Sequence, residues 1–364
     1  MTTMSPIADR LAAALADRYR VERELGQAGM ATCTSLVVAT LLVLAGCSSP
    51  KPPVETKQVA PVWTDPSPHT SGFVTVPGAR LQYLDWGGTG PNLILIHGMG
   101  DNPHAFDDLV PAVGGQFRVL AYARRGHGRS TKNGPFDTAT LTADLAALMD
   151  SLKIAKAHLA GWSMGGNEVT GMAGAHPDRV DRIVYFDGAY DWADPREVAA
   201  FKALPADLSP KPSALASLEA FKAWQAGTFF PALANPERLE SYLRDMVEVQ
   251  PDGTVRPVAS DSVAAALAEA LLTNPRDYTK VRAPALAIYA ETFLDVTHGD
   301  SAQRAKTLAW ETKHMKPFRA ASIERVKREL KQVEILRVPG THPDFLFTSR
   351  DQVAEAMRRF LTRP

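Results

Sequence analysis

Gly161-Trp162-Ser163-Met164-Gly165 places a serine two residues from a glycine on either side, after the apolar run Ala157–Ala160 and before a helix-capable segment. Strand, sharp turn and helix in that order form a nucleophile elbow, in which the turn thrusts the serine Oγ out from the sheet edge. Flanking glycines let backbones pass where a β-carbon would clash. A serine hydroxyl is a weak nucleophile until a neighbouring base takes its proton. Among nine histidines, His342 follows the last apolar strand through Pro339-Gly340-Thr341, and a closing helix comes after it. Its imidazole, ordinarily titrating near pH ~6.5, suits both accepting and returning that proton. The other histidines have duller assignments: His97 and His127 support local turns, His104, His158 and His176 pack locally, and His69, His298 and His314 lie at the surface.

A base of this kind needs a carboxylate to fix its tautomer and stabilise the imidazolium. Two strand ends compete to supply it. Asp187 ends the strand Arg182–Phe186, and Asp295 lies six residues beyond the end of the strand Ala285–Tyr289; Asp191 and Glu291 are further candidates. Asp187 is preferred, with Asp295 as the alternative.

Stepping outward, the elements needed to hold these residues alternate. A hairpin over Phe73–Val76 and Leu81–Trp86 turns at Pro77-Gly78, and Leu93–Ile96 has the unbroken apolar character of a strand buried on both faces. A helix at Ala105–Val113, a strand at Phe117–Tyr122 and a helix at Leu141–Leu152 lead to the elbow. Such alternation predicts a mostly parallel α/β sheet with helices on both faces. From Ala189 to Lys280 it stops: Leu215–Trp224, Pro236–Val247 and Ser262–Leu272 read as helices, with no convincing buried strand between them. A basic helical segment at Phe318–Lys331, the strand Val333–Val338 and a helix over Arg350–Leu361 close the chain.

Four features, His97-Gly98, Arg125-Gly126-His127-Gly128-Arg129-Ser130, the Ser163 elbow and Gly340-Thr341-His342, each follow a strand. Together they resemble the α/β-hydrolase superfamily over about 290 residues from Phe73 onward. The resemblance implies a core at residues 72–188 and 281–364, with a helical cap at 189–280 inserted between the sixth and seventh core strands. It also implies an oxyanion hole from the backbone N–H groups of Met99 and Met164. The family's common G-x-x-D pattern is absent, because Phe293 stands where its aspartate would fall. The expected activity is serine hydrolysis of a small, apolar ester through an acyl-enzyme. A C–C hydrolase, lactonase or perhydrolase uses the same triad, and a non-catalytic lipid-anchored binding protein is the alternative of another class. Dehalogenase and epoxide hydrolase chemistry, which need an aspartate nucleophile on this fold, are set aside by Ser163. The aromatics Trp192, Phe221, Trp224, Phe229, Phe230 and Tyr242 make an apolar substrate group plausible.

The N-terminal fifth of the chain reads differently. Residues 10–31, with Arg20–Ala31 at their end, resemble the truncated start of a bacterial Ser/Thr protein kinase. The glycine-loop centre is Ala28, however, and no later kinase motif follows, so residues 1–29 are not expected to act as a kinase. The twelve-residue apolar run Thr34–Ala45 is too short to span a bilayer. It ends in Leu44-Ala45-Gly46-Cys47, which resembles a bacterial lipobox. Residues 30–47 are therefore expected to act as a lipoprotein signal, with Cys47 acylated and the protein exported to the cell envelope. Residues 48–71 are Pro-rich and polar, the composition of a tether.

Composition excludes other classes. Forty basic residues against 40 acidic ones offer no electrostatic case for nucleic acid. Two cysteines cannot build a disulfide framework or a cysteine zinc site. No metal or organic cofactor is called for, and the expected partners are a small ester and the membrane lipid.

Overall fold

The computed structural model describes residues 63–205, 208–233 and 235–363, and the chain divides into units at Asp65/Pro66. The kinase-like segment, the signal run, Cys47 and most of the tether lie outside the described residues. Among the described residues no helix is long and apolar enough to cross a membrane.

The second unit is built on an eight-stranded sheet. Its strands are β1 (Thr70–Val76), β2 (Ala79–Gly87), β3 (Asn92–Ile96), β4 (Arg118–Tyr122), β5 (Ala157–Trp162), β6 (Val180–Phe186), β9 (Ala285–Thr292) and β10 (Val333–Thr341). They lie side by side in the order β1-β2-β4-β3-β5-β6-β9-β10. The β1–β2 and β2–β4 pairs are antiparallel and all others parallel. This is the mostly parallel α/β architecture expected from the alternation. Leu93, Ile94, Leu95 and Ile96 are fully buried, as a central strand covered on both faces requires.

Helices α1 (Leu109–Val113), α2 (Thr138–Ser151) and α3 (Gly165–Ala175) follow β3, β4 and β5. Asp137 starts α2 by accepting the Thr140 N–H, which satisfies one of the donors every helix start leaves open. Between β6 and β9 come α4 (Pro195–Lys202), α5 (Leu218–Phe229), α6 (Glu240–Arg244) and α7 (Asp261–Thr273). Then α8 (Ser301–Trp310), a π-type turn at Glu311–Met315 and α9 (Lys316–Glu329) precede β10, and α10 (Phe345–Thr348) and α11 (Arg350–Leu361) follow it.

Several expectations need correction. The folded chain is already in strand at Thr70, because β1 pairs with β2 as far as Asp85. The helix expected over Ala105–Val113 is a 3₁₀ turn (Pro103–Phe106) followed by α1. Asn102 starts the turn by accepting the His104 N–H, and Pro103 suits a first turn. The 189–280 segment does hold strands, the short antiparallel pair β7 (Val247–Val249) and β8 (Val255–Pro257). Their three-residue length left no alternation to read.

Candidate active site

At the switch point of the sheet, β3 runs to β4 on one side and β5 lies on the other, so the loops after β3 and β5 part and leave a crevice at the strands' C-terminal ends. Register then places the side chains. Trp162 on β5 is opposite Phe186 on β6, so Ser163 and Asp187 leave neighbouring strands side by side. The Ser163 N–H donates to the Phe186 carbonyl at 3.0 Å, and the Asp187 N–H to that of Ile288 at 2.7 Å. Both residues are left-handed, with φ of 53° and 43°, conformations that side-chain-bearing residues adopt only where the surroundings enforce them. At the elbow, a β-carbon on Gly161 would sit 2.5 Å from the Gly165 carbonyl oxygen, and one on Gly165 would overlap the Ile96 carbonyl. Close helix–strand packing thus demands glycine at both places.

His342 comes from the far edge. The β9–β10 register slips between Val338 and Thr341, and the His342 N–H then donates to the Thr292 carbonyl at 3.0 Å. Asp344 braces the same turn by accepting the Thr341 N–H at 2.7 Å. The result aligns three side chains: His342 Nε2 is 2.9 Å from Ser163 Oγ and His342 Nδ1 is 2.8 Å from Asp187 Oδ2. A proton on Nδ1, donated to the carboxylate, leaves Nε2 free to accept from the serine. Ser163 is half-buried and Asp187 fully buried.

The other carboxylates are committed elsewhere. Asp295 accepts from Thr297 and from the His298 N–H within its own turn. Asp191 is engaged by Arg276 and Arg325, and Glu291 is exposed.

Sequence reasoning missed the groups that hold Asp187 ionised. Burial pushes its carboxyl up, but the Arg319 guanidinium 3.4 Å away and hydrogen bonds from His342 and Tyr190 outweigh that and leave it below the ordinary range. Tyr190 lies only three residues after Asp187, yet Arg319 is 132 residues distant on α9, in a stretch legible only as basic and helical. The function of Phe293 was also hidden. Its ring stacks face to face on His342, with centroids 4.3 Å apart and planes 13° apart, while Trp192 and the imidazole are T-shaped to one another with centroids 6.1 Å apart.

Met164, directly after Ser163, is buried at the start of α3, and Met99 follows β3 with its side chain exposed. His97 supports the β3 loop as expected: its Nδ1–H donates to the Gly98 carbonyl at 2.8 Å and its Nε2 accepts the Arg124 N–H at 3.0 Å. Burial lowers its pKa well below the usual value, which suits a neutral, structural imidazole. His69 is half-buried rather than at the surface, its ring meeting those of Trp86 and His104. Of the cap aromatics, Trp192 and Tyr242 reach the site. Phe221 packs with Val247 and Val255, and Phe230 lies edge-on against Phe347.

Comparison with known proteins agrees with this architecture. Residues 91–204 match the model of a family described as the alpha/beta hydrolase fold. The chain is 30% identical over 212 residues to the 2-(acetamidomethylene)succinate hydrolase of Mesorhizobium japonicum, covering 56% of this chain and 72% of that one. A crystal structure of E-2-(acetamidomethylene)succinate hydrolase superposes with a TM-score of 0.62 at 24% identity, over 81% of this chain and 100% of that one. A shorter match, 42% identity over 86 residues, links 24% of this chain to 32% of a pimeloyl-[acyl-carrier protein] methyl ester esterase of Neisseria meningitidis. The chain belongs to the α/β-hydrolase fold family. The relatives named above are hydrolases, and a small-molecule substrate fits that class.

Proposed function

We propose that this protein is a serine hydrolase that cleaves small, apolar esters through an acyl-enzyme. The observation that carries the reading is the unbroken line Ser163 Oγ, His342, Asp187, at 2.9 and 2.8 Å. In the first half-reaction Ser163 Oγ attacks the ester carbonyl while its proton passes to His342 Nε2, and Asp187 stabilises the imidazolium. The oxyanion that develops is received by the main-chain N–H groups of Met99 and Met164, where each donor is worth about 10²–10³ in kcat. His342 returns the proton to the leaving alcohol. A water then repeats the sequence on the acyl-enzyme, releasing the acid and restoring Ser163.

An apolar preference is supported by Trp192 and Phe293 around His342 and by the exposed Met99 side chain. The Leu44-Ala45-Gly46-Cys47 sequence supports export and lipid attachment at Cys47, which would hold the enzyme at the cell envelope. The test of the catalytic reading is labelling by a fluorophosphonate, which reacts only with an activated serine. Mass spectrometry should locate the adduct on Ser163, and Ser163→Ala should abolish both label and turnover of p-nitrophenyl butyrate. Full esterase activity in Ser163→Ala would overturn the reading.

A further inference from the structure

Asp101 is an acid beside the nucleophile that the triad does not use. It lies on the loop after β3, and its Oδ2 would be 2.5 Å from a β-carbon on Gly98, the same point that lies 3.1 Å from the Ser163 β-carbon. Carboxylate and nucleophile therefore flank one strip of backbone, the strip that leads into the Met99 N–H. The other carboxylate oxygen accepts the Tyr242 hydroxyl at 2.5 Å. Tyr242 stands on α6, and its main-chain carbonyl accepts from Asn102 Nδ2 at 2.8 Å. The β6–β9 segment is thus moored twice to the loop that would supply an oxyanion donor.

The charged and titratable groups that face Asp101 are Tyr242 from α6, His342 beyond β10 and Arg124 beyond β4. Arg124 is fully buried, reaches the Gly98 carbonyl with Nη1 at 3.5 Å and donates from Nε to Glu168 at 2.5 Å, and that carboxylate offsets most of its charge. Burial lifts the Asp101 carboxyl to about 6, against the lowering effects of Tyr242, His342 and Arg124.

We propose that Asp101 sets the charge preference of the site: ionised, it rejects esters whose acyl chain carries a negative charge near the carbonyl, and protonated, it admits them. This deepens the serine-ester-hydrolase reading and rests on it. For an anion about 6 Å from the carboxylate, Coulomb's law gives about threefold discrimination at an effective dielectric of ~80 and about a hundredfold at ~20.

The experiment uses three p-nitrophenyl esters with acyl chains of matched length, ending in a sulfonate, a methyl or a trimethylammonium group. Their charges are fixed, so only the protein titrates, and any pH effect common to the three esters cancels in a ratio of kcat/KM values. In the wild type the sulfonate-to-methyl ratio should fall by at least about threefold as pH rises through about 6, while the trimethylammonium-to-methyl ratio rises. Asp101→Asn should hold the sulfonate ratio flat, near the wild-type value at low pH. Tyr242→Phe keeps the charge but removes its hydrogen-bond donor, and should move the transition to higher pH. A flat wild-type ratio, or a pH step that survives in Asp101→Asn, overturns the proposal. If a fluorophosphonate labels Ser163 while the ratio is flat, the charge preference falls alone. If there is no label and no turnover of any ester, the hydrolase reading falls and takes this one with it.

Discussion

Replacing Asp187 with asparagine changes one atom and should silence the site. Three donors converge on the buried carboxylate: His342 Nδ1 at 2.8 Å, Arg319 Nη2 at 3.4 Å and the Tyr190 hydroxyl. Asparagine keeps one acceptor and turns the other into an NH₂. That NH₂ cannot face Arg319, which has only donors to offer, so it faces His342. The imidazole must then accept at Nδ1 and carry its proton on Nε2, the atom that should receive the Ser163 proton. A wrong tautomer of this kind costs about 10⁴ in kcat, or about 5 kcal/mol of transition-state stabilisation. The assay is steady-state hydrolysis of p-nitrophenyl butyrate together with the rate of fluorophosphonate labelling. Circular dichroism checks that the fold survives the partial loss of Arg319's partner. Asp295→Asn, made in parallel, should leave kcat within about twofold, a surface-scale effect, because Asp295 is bound up in its own turn. More than about a tenth of wild-type kcat in Asp187→Asn, or a loss of the 10⁴ scale in Asp295→Asn, would refute the assignment.

Phe293→Leu removes the ring stacked on His342 and should lower kcat severalfold with KM little changed, the scale of a ~1 kcal/mol aromatic contact. Parallel measurement of the two constants separates this from lost substrate binding. Glu197 is fully buried, neither oxygen has a hydrogen-bond partner, and burial, with the Asp194 and Asp187 charges, lifts its pKa from 4.5 to about 8. The folded state then binds more protons than the unfolded chain, so this group's contribution to stability declines as pH rises from about 4.5 to about 8. Glu197→Gln should therefore raise the melting temperature at pH ~8, by the equivalent of a few kcal/mol, and leave it unchanged near pH ~4.5. Thermal unfolding at the two pH values is the check. Cys47→Ser should abolish acylation and release the protein from membranes in cell fractionation; unchanged mass and fractionation would exclude the lipid anchor.

What the sequence made legible was whatever is local. Ser163 could be read because its glycines, strand and helix occupy one short stretch, and His342 because it follows a strand through a Pro-Gly turn. The parallel sheet could be read from unbroken runs such as Leu93–Ile96. What stayed hidden depends on contacts between distant segments. Arg319 and Asp187 meet only once α9 has brought the guanidinium to the Ala290 and Glu291 carbonyls of β9. The absence of an aspartate at 293 was visible, but that Phe293 turns its face to His342 is a consequence of the loop after β9. There Glu311, offered by the π-type turn, accepts the Phe293 and Leu294 N–H groups. β7 and β8 were too short for any period to register.

The position of Asp187 couples two parts of the molecule that many engineering schemes treat as separable. It stands immediately before the segment that joins β6 to β9, and Tyr190, inside that segment, holds one of its oxygens. Substrate range is commonly altered by exchanging such an insertion wholesale. In this chain the exchange would carry away a ligand of the acid and disturb the turn that keeps Asp187 at φ 43°. A transplant beginning after Trp192 would keep that turn and the Tyr190 ligand intact. The grafting boundary therefore decides whether a chimera inherits chemistry or only a new pocket.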